Sequence, residues 1–239
     1  SIWTKDGLED FCNYIIDVYT NNIDILLPKW EWHIETQTGG GICDMTVMYH
    51  WYKGSKNLYS INDEKFVVIS AGTGTGCVFY DGKNYHYLGG ISIGGGTLQG
   101  LSSLLISTSD INEIEKLSNK GNRKNVDHLI GEVVNDIGSL NPNVTASNFA
   151  KAKGVKNHNP KDIAASLTNM IGEVIGTTSY LNAMLAGVDK VYFLGRLSLS
   201  EAIKEAIDQR LKLANINGIY KENREYGNVL GALYCIQTK

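Results

Sequence analysis

The sequence predicts an α/β protein with phosphate-holding loops, and three observations predict it. Apolar runs of strand length alternate with stretches of helical period, as α/β architectures require. Two glycine clusters, Gly72-Thr73-Gly74-Thr75-Gly76 and Gly94-Gly95-Gly96, stand after a strand and before a helix. The composition, 239 residues with 43% hydrophobic content and three prolines, is that of a globular chain of one large or two small domains.

The elements follow in order. Leu8, Phe11, Cys12, Ile15, Ile16 and Tyr19 recur three and four apart, an amphipathic helix over residues 6–20 opened by Asp6. Ile23 to Leu27 reads as a short strand stopped by Pro28, Thr38-Gly39-Gly40-Gly41 as a loop, and Ile42 to Tyr52 as a helix. Phe66 to Ala71 is a strand, the glycines that follow are a tight turn, and Cys77 to Tyr80 is a second strand closed by Asp81-Gly82, a hairpin signal. A helix runs from about Thr97 to Ile106, a second from an Asp110 cap to Leu117, and a third from about Asn125 to Asn135. Lys151 to Pro160 is a basic, turn-rich surface loop. Asp162 caps a long helix to about Leu185, in which Gly172 and Gly176, four apart, permit close packing against a neighbour. Lys190 to Leu194 is a buried strand ended by Gly195, followed by a helix from Ser198 to Leu213, a strand near Gly218 to Tyr220 and a final helix from Tyr226 to Cys235.

The glycine clusters carry the chemistry. Without a Cβ the backbone can approach an anion closely, and consecutive amides can point at phosphate oxygens. The second cluster opens a helix, whose N-terminus is itself an anion site. Two such loops on adjacent elements suggest a nucleotide polyphosphate held from both sides. A net charge of −3 offers no electrostatic case for nucleic acid or an anionic membrane. No apolar stretch approaches the roughly 20 residues that span a bilayer. Cys12, Cys43, Cys77 and Cys235 are scattered without a paired motif, which fits reduced thiols in a cytoplasmic protein and gives no metal-ligand set.

With those residues in view, the chain resembles the type II and eukaryotic pantothenate kinases. The resemblance lies in Gly72-Thr73-Gly74-Thr75 and in Leu88-Gly89-Gly90-Ile91-Ser92-Ile93-Gly94-Gly95-Gly96-Thr97-Leu98-Gln99-Gly100-Leu101. It continues through Lys120 to Asp127, Thr145-Ala146-Ser147-Asn148-Phe149, Val191 to Gly195 and Tyr226 to Leu233. It covers about residues 65–239, with residues 1–64 as a remnant of an N-terminal lobe. The resemblance implies an actin-like ATPase fold of two lobes around a nucleotide cleft. It implies ATP, with Mg²⁺, as phosphoryl donor to pantothenate in the first step of coenzyme A synthesis, CoA or acyl-CoA as feedback ligand, and a dimer formed through the long helix. Carried over by position, Gly72, Thr73, Gly74, Gly94, Gly95 and Gly96 hold the ATP phosphates and Gly195 lies near the adenosine. Thr145, Ala146 and Asn148 belong to a loop that meets the neighbouring subunit's pantothenate; without the resemblance, Thr145 and Asn148 would read as satisfied turn residues.

The departures are as informative. The family's Asp-x-Gly-Gly-Thr phosphate hairpin has no counterpart in residues 1–60, so the N-terminal lobe is expected to be truncated or partly represented. The family's general base is a glutamate in a Glu-x-Asp triplet that starts a helix. If Ile42-Cys43-Asp44 is that triplet, only Asp44 survives; if Glu35 is the base, Gly39-Gly40-Gly41 falls inside its helix at a cost of about 2–3 kcal/mol, which favours the first alignment. An arginine expected to bind substrate and acyl-CoA is replaced by Tyr87, which offers one neutral hydrogen bond in place of a charged fork. Gly76 stands where the family has a serine, and His86 beside Tyr87 reads as a half-exposed strand residue. Three readings compete: an active pantothenate kinase with a variant site, a degenerate subunit that supports an active paralogue in a heterodimer, and another kinase or activator of the same superfamily. The Lys120–Asp127 and Thr145–Phe149 segments disfavour the third.

Overall fold

The computed structural model describes Ile61, residues 65–134 and residues 141–228. The expected elements before residue 61 and most of the expected last helix lie outside the described residues, as do Glu35 and Asp44.

Among the described residues, five strands form the central sheet: β1 (Phe66–Ala71), β2 (Thr75–Tyr80), β3 (Tyr85–Ile91), β6 (Lys190–Leu194) and β7 (Asn217–Ile219), in spatial order β3-β2-β1-β6-β7. The first three are an antiparallel meander, whereas β6 runs parallel to β1 and to β7. Asp81 closes the β2–β3 turn, its Oδ1 accepting the amides of Lys83 and Asn84 at 2.8 and 2.7 Å. These bonds and His86 hold its carboxyl well below the usual carboxylate range. His86 is thereby spent on the hairpin, 2.7 Å from Asp81.

β1 is buried along its whole length because both faces are covered. Its alternation divides two apolar clusters: Val67, Ile69 and Ala71 face the larger, Phe66 and Val68 the smaller, with Tyr192 and Leu194. The larger cluster is supplied mainly by α1 (Gly95–Ile106), α2 (Ile111–Ser118), α4 (Pro160–Ala186) and α5 (Glu201–Lys212). Between α2 and α4 lie α3 (Ile130–Val133) and a two-stranded ladder, β4 (His128–Leu129) with β5 (Thr145–Ser147). Gly172 and Gly176 of α4 meet the Ile203 and Ile207 carbonyls of α5, where a Cβ would come within 2.7 and 2.8 Å. The close packing expected from their spacing is present. No helix among the described residues is long and apolar enough to cross a membrane.

Three helix expectations are corrected. The expected helix over 125–135 is instead a 3₁₀ turn at Arg123–Asn125, then β4, then the four residues of α3. Asn122 caps that turn through the Lys124 amide, and Ile130 donates to Val144, so tertiary partners take the bonds a helix would use. The long helix is capped by Asn159, which accepts the Lys161 amide at 3.0 Å with Pro160 in the first turn, and not by Asp162. Asp162 lies inside that turn and faces residues 122–125. The helix expected from Ser198 to Leu213 is broken at Ser200, with a 3₁₀ turn at Arg196–Leu199 before α5.

Candidate nucleotide and substrate site

The carboxyl ends of β1 and β6 lie side by side and both open into glycine, at Gly72 and Gly195. Crevices outside strand carboxyl ends are where open α/β sheets place their ligands. Gly195 requires its glycine: its φ is +93°, and a Cβ would come within 2.3 Å of the Ala71 carbonyl oxygen.

The two expected phosphate loops are in contact. Gly95 and Gly96 amides donate to the carbonyls of Gly72 and Thr73 at 2.8 and 3.0 Å. At Gly94 a Cβ would sit 2.5 Å from the Thr73 oxygen and 2.8 Å from the Gly72 oxygen. The Thr75 hydroxyl donates to Ile93 O and the Thr97 hydroxyl to Ser92 O, each at 2.9 Å, which anchors the second loop over the first. Of the loop amides expected at phosphates, those of Gly95 and Gly96 are engaged with the carbonyls of the first loop. Orphan donors at the start of α1 meet orphan carbonyls at the end of β1, and each satisfies the other. The Gly72 amide is spent on Gly74 O at 2.9 Å. Among the described residues, the Thr73 and Gly74 amides have no protein acceptor, and the first turn of α1 carries no acidic side chain. An anion placed at this tip would find two N–H groups without a protein acceptor and the positive end of a twelve-residue helix.

Beneath Gly195 lies Arg224. Its carbonyl accepts the Gly195 amide at 3.0 Å, and its guanidinium donates to Ser198 Oγ and Ser198 O at 3.0 and 2.9 Å. Ser198 Oγ in turn donates to Gly195 O at 2.7 Å. Arg224 carries no local sequence signal, because its contacts join distant segments.

Tyr87 is on β3, an edge strand among the described residues, and is 43% exposed, with its hydroxyl placed where a Cβ on Gly90 would meet it. Gly76 is inside β2, paired with Ser70 and Gly90. Thr145 and Asn148 are in the β5 segment, and both side chains are engaged. Thr145 Oγ1 accepts Arg123 Nη1 at 2.8 Å and Asn169 Nδ2 at 3.3 Å, while Asn148 Nδ2 donates to Glu173 Oε2 at 3.3 Å. Ala146 and Ser147 are exposed. Beside this segment, hydrogen bonds from Lys151 and the Leu129 amide hold the Glu132 carboxyl below the usual carboxylate range.

The comparisons with known proteins decide the lineage. A family model described as Fumble matches residues 43–210. The chain belongs to this family. Its relatives include a type II pantothenate kinase of Bacillus cereus (strain ATCC 10987 / NRS 248), 30% identical over 184 residues, covering 76% of this chain and 66% of the relative. Pantothenate kinase 1 of Arabidopsis thaliana is 30% identical over 195 residues, covering 75% of this chain and 51% of the relative. The chain thus spans between half and two thirds of the length of these relatives. Among solved structures it is similar to the activator of the 2-hydroxyisocaproyl-CoA dehydratase from Clostridium difficile with bound ADPNP. The TM-score is 0.51 at 16% identity, covering 81% of this chain and 66% of that one. The fold of this Fumble-family chain is the actin-like ATPase fold.

Proposed function

We propose that the chain is a pantothenate kinase, moving the terminal phosphoryl group of ATP to the hydroxyl of pantothenate as a dimer in the cytoplasm. The observation that carries this reading is the pair of interlocked glycine loops at the carboxyl end of β1, in a Fumble-family chain. The phosphate tail would bind the Thr73 and Gly74 amides and the start of α1, and Gly195 would border the adenosine. Gly94, Gly95 and Gly96 serve by letting the loops touch. Mg²⁺ would arrive with ATP and neutralise charge between the phosphates, since neither loop contains a carboxylate to hold it. Phosphoryl transfer depends mainly on alignment and charge stabilisation, with an aligned base for the hydroxyl proton. Asp44 and Glu35 are the candidates for that base. Thr145, Ala146 and Asn148 belong to the segment offered to pantothenate, and CoA or acyl-CoA is the expected feedback ligand.

A second reading is supported by one observation. Tyr87 takes the place of an arginine in the pattern the chain resembles, and a phenol supplies no charged fork to an anion. On that reading the chain is a subunit that supports an active paralogue in a heterodimer. Steady-state assays of the purified chain with ATP and pantothenate separate the two. Robust turnover by the chain alone removes the heterodimer reading. Turnover only with a paralogue supports it, and the Tyr87→Arg variant should then gain activity or acyl-CoA affinity.

A further inference from the structure

The longest helix of the described chain carries a polar stripe along a covered face. Asp162, Ser166, Asn169 and Glu173 follow one another at spacings of four, three and four, which places them in one row on α4. Asp162, Ser166 and Glu173 are buried. Each member of the row reaches a residue of the 122–127 or 145–149 segment.

Asp162 accepts the Asn122 amide and Asn125 Nδ2 at 2.7 and 2.8 Å. Ser166 donates to Asp127, a carboxylate with no solvent exposure. Asn169 donates to the Thr145 hydroxyl, and Glu173 accepts from Asn148 while pairing with Arg210 at 2.8 Å. Asp127 extends the row sideways, accepting the Phe149 amide at 2.9 Å and lying 3.5 Å from Arg123 Nη1. Arg123 holds Thr145 Oγ1 and the Asn143 carbonyl at 2.8 and 2.7 Å. Phe149 leaves the segment at a φ of +58°, a left-handed turn unusual for an aromatic residue.

Burying this many polar and charged groups is a poor way to gain stability alone, because apolar packing does it without desolvation. Such a row does define direction, since every hydrogen bond has one satisfied geometry. The part it leaves outside is the Ala146–Ser147 edge of β5.

We propose that Asp127, Arg123 and Asn169 are positioning residues for the substrate. They lock the 143–149 segment onto α4 in the one shape in which its exposed Ala146–Ser147 edge meets pantothenate. The inference rests on the pantothenate kinase reading. It adds the residues through which the substrate segment is held.

The experiment compares Asn169→Ala and Arg123→Lys with the parent chain, assayed alone or with a paralogue, whichever turns over. Arg123→Lys keeps the charge and removes the fork, so it loosens the segment without stripping the buried Asp127 carboxylate of its neighbouring charge. Loss of one such bond should raise the KM for pantothenate about tenfold. The KM for ATP should stay within about twofold, and hydrogen exchange across residues 143–149 should quicken. Asn159→Ala, which weakens the same helix at its cap, is the control: it should lower the melting temperature and leave the pantothenate KM unchanged. A loosened segment with an unchanged pantothenate KM overturns the positioning role and leaves the kinase reading intact. So does a variant in which both KM values rise together. A parent chain without pantothenate turnover, alone and with a type II pantothenate kinase partner, overturns the kinase reading and this inference with it.

Discussion

Replacing Gly172 by alanine tests the α4–α5 seam with a result of unexpected sign. In the interior of an ordinary helix, Gly→Ala stabilises by about 0.5–1 kcal/mol through the backbone entropy of the unfolded chain. At Gly172 the added Cβ would come 2.6 Å from Ala206 Cβ and 2.7 Å from the Ile203 carbonyl oxygen. Carbon atoms pack at about 3.5–4.0 Å, so the two helices must part by roughly 1 Å. The partner at Ile203 is backbone and cannot swing aside. Ile171, Ile175, Ile203 and Ile207, all buried around this seam, would lose contact in the process. Overpacking of this kind costs about 1–3 kcal/mol, so set against the helix gain the mid-range net loss is about 1 kcal/mol. For a domain of this size that lowers the melting temperature by about 2–4 °C. Thermal and urea unfolding followed by circular dichroism measure it. Gly100→Ala, exposed in α1 with nothing within 4 Å of its Cβ, is the matched control and should gain stability. A Gly172→Ala chain as stable as its parent would refute the packing argument.

Other perturbations read other parts of the fold. Burial pushes the Cys77 thiol up to about 12 from an ordinary value of 9.0, against an opposing hydrogen bond with Asn182. The native thiol should therefore resist alkylation at pH 8 and react only on unfolding, as mass spectrometry after iodoacetamide would show. Because the folded state holds this proton more tightly, the contribution is complete below pH 9 and is lost as pH rises from 9 toward 12. Urea midpoints should fall over that range, and less steeply in Cys77→Ala. Gly195→Ala forces an L side chain into positive φ and against the Ala71 backbone; the unfolding free energy should drop by about 2 kcal/mol or more. Asn159→Ala removes the cap of α4 and should cost about 1 kcal/mol in the same assay.

What could be read in the sequence was what local pattern controls. The Phe66–Ala71 strand, the Asp81-Gly82 hairpin, the Asp110 cap and the close-packing role of Gly172 and Gly176 all follow from periodicity and turn chemistry, and they are present. The 125–135 segment misled because its helical pattern competes with long-range partners. Asp127 is drawn to Phe149 and Ser166, and the Ile130 amide is taken by Val144. Asp162 carries the residue type of a cap, yet it faces Asn122 and Asn125, forty and thirty-seven residues away. The candidate site was half legible. Glycine composition marks the loops, but nothing local in it shows that the Gly95 and Gly96 amides are taken by the carbonyls at the end of β1. The polar row on α4 has a signal in its four-three-four spacing, set among the apolar residues of the same helix. Arg224 had none, since its partners Ser198 and Gly195 are near only in space.

The central claim is that the interlocked glycine loops bind a nucleotide's phosphate tail through the Thr73 and Gly74 amides. Titrating ATP into isotope-labelled chain and following backbone amide resonances tests it most directly. Saturable shifts are expected, largest at Thr73 and Gly74 and smaller at Gly95 and Gly96, whose protons stay on their carbonyls; the Gly94→Ala variant should lose them. Saturation by ATP that leaves Thr73 and Gly74 unmoved would contradict it.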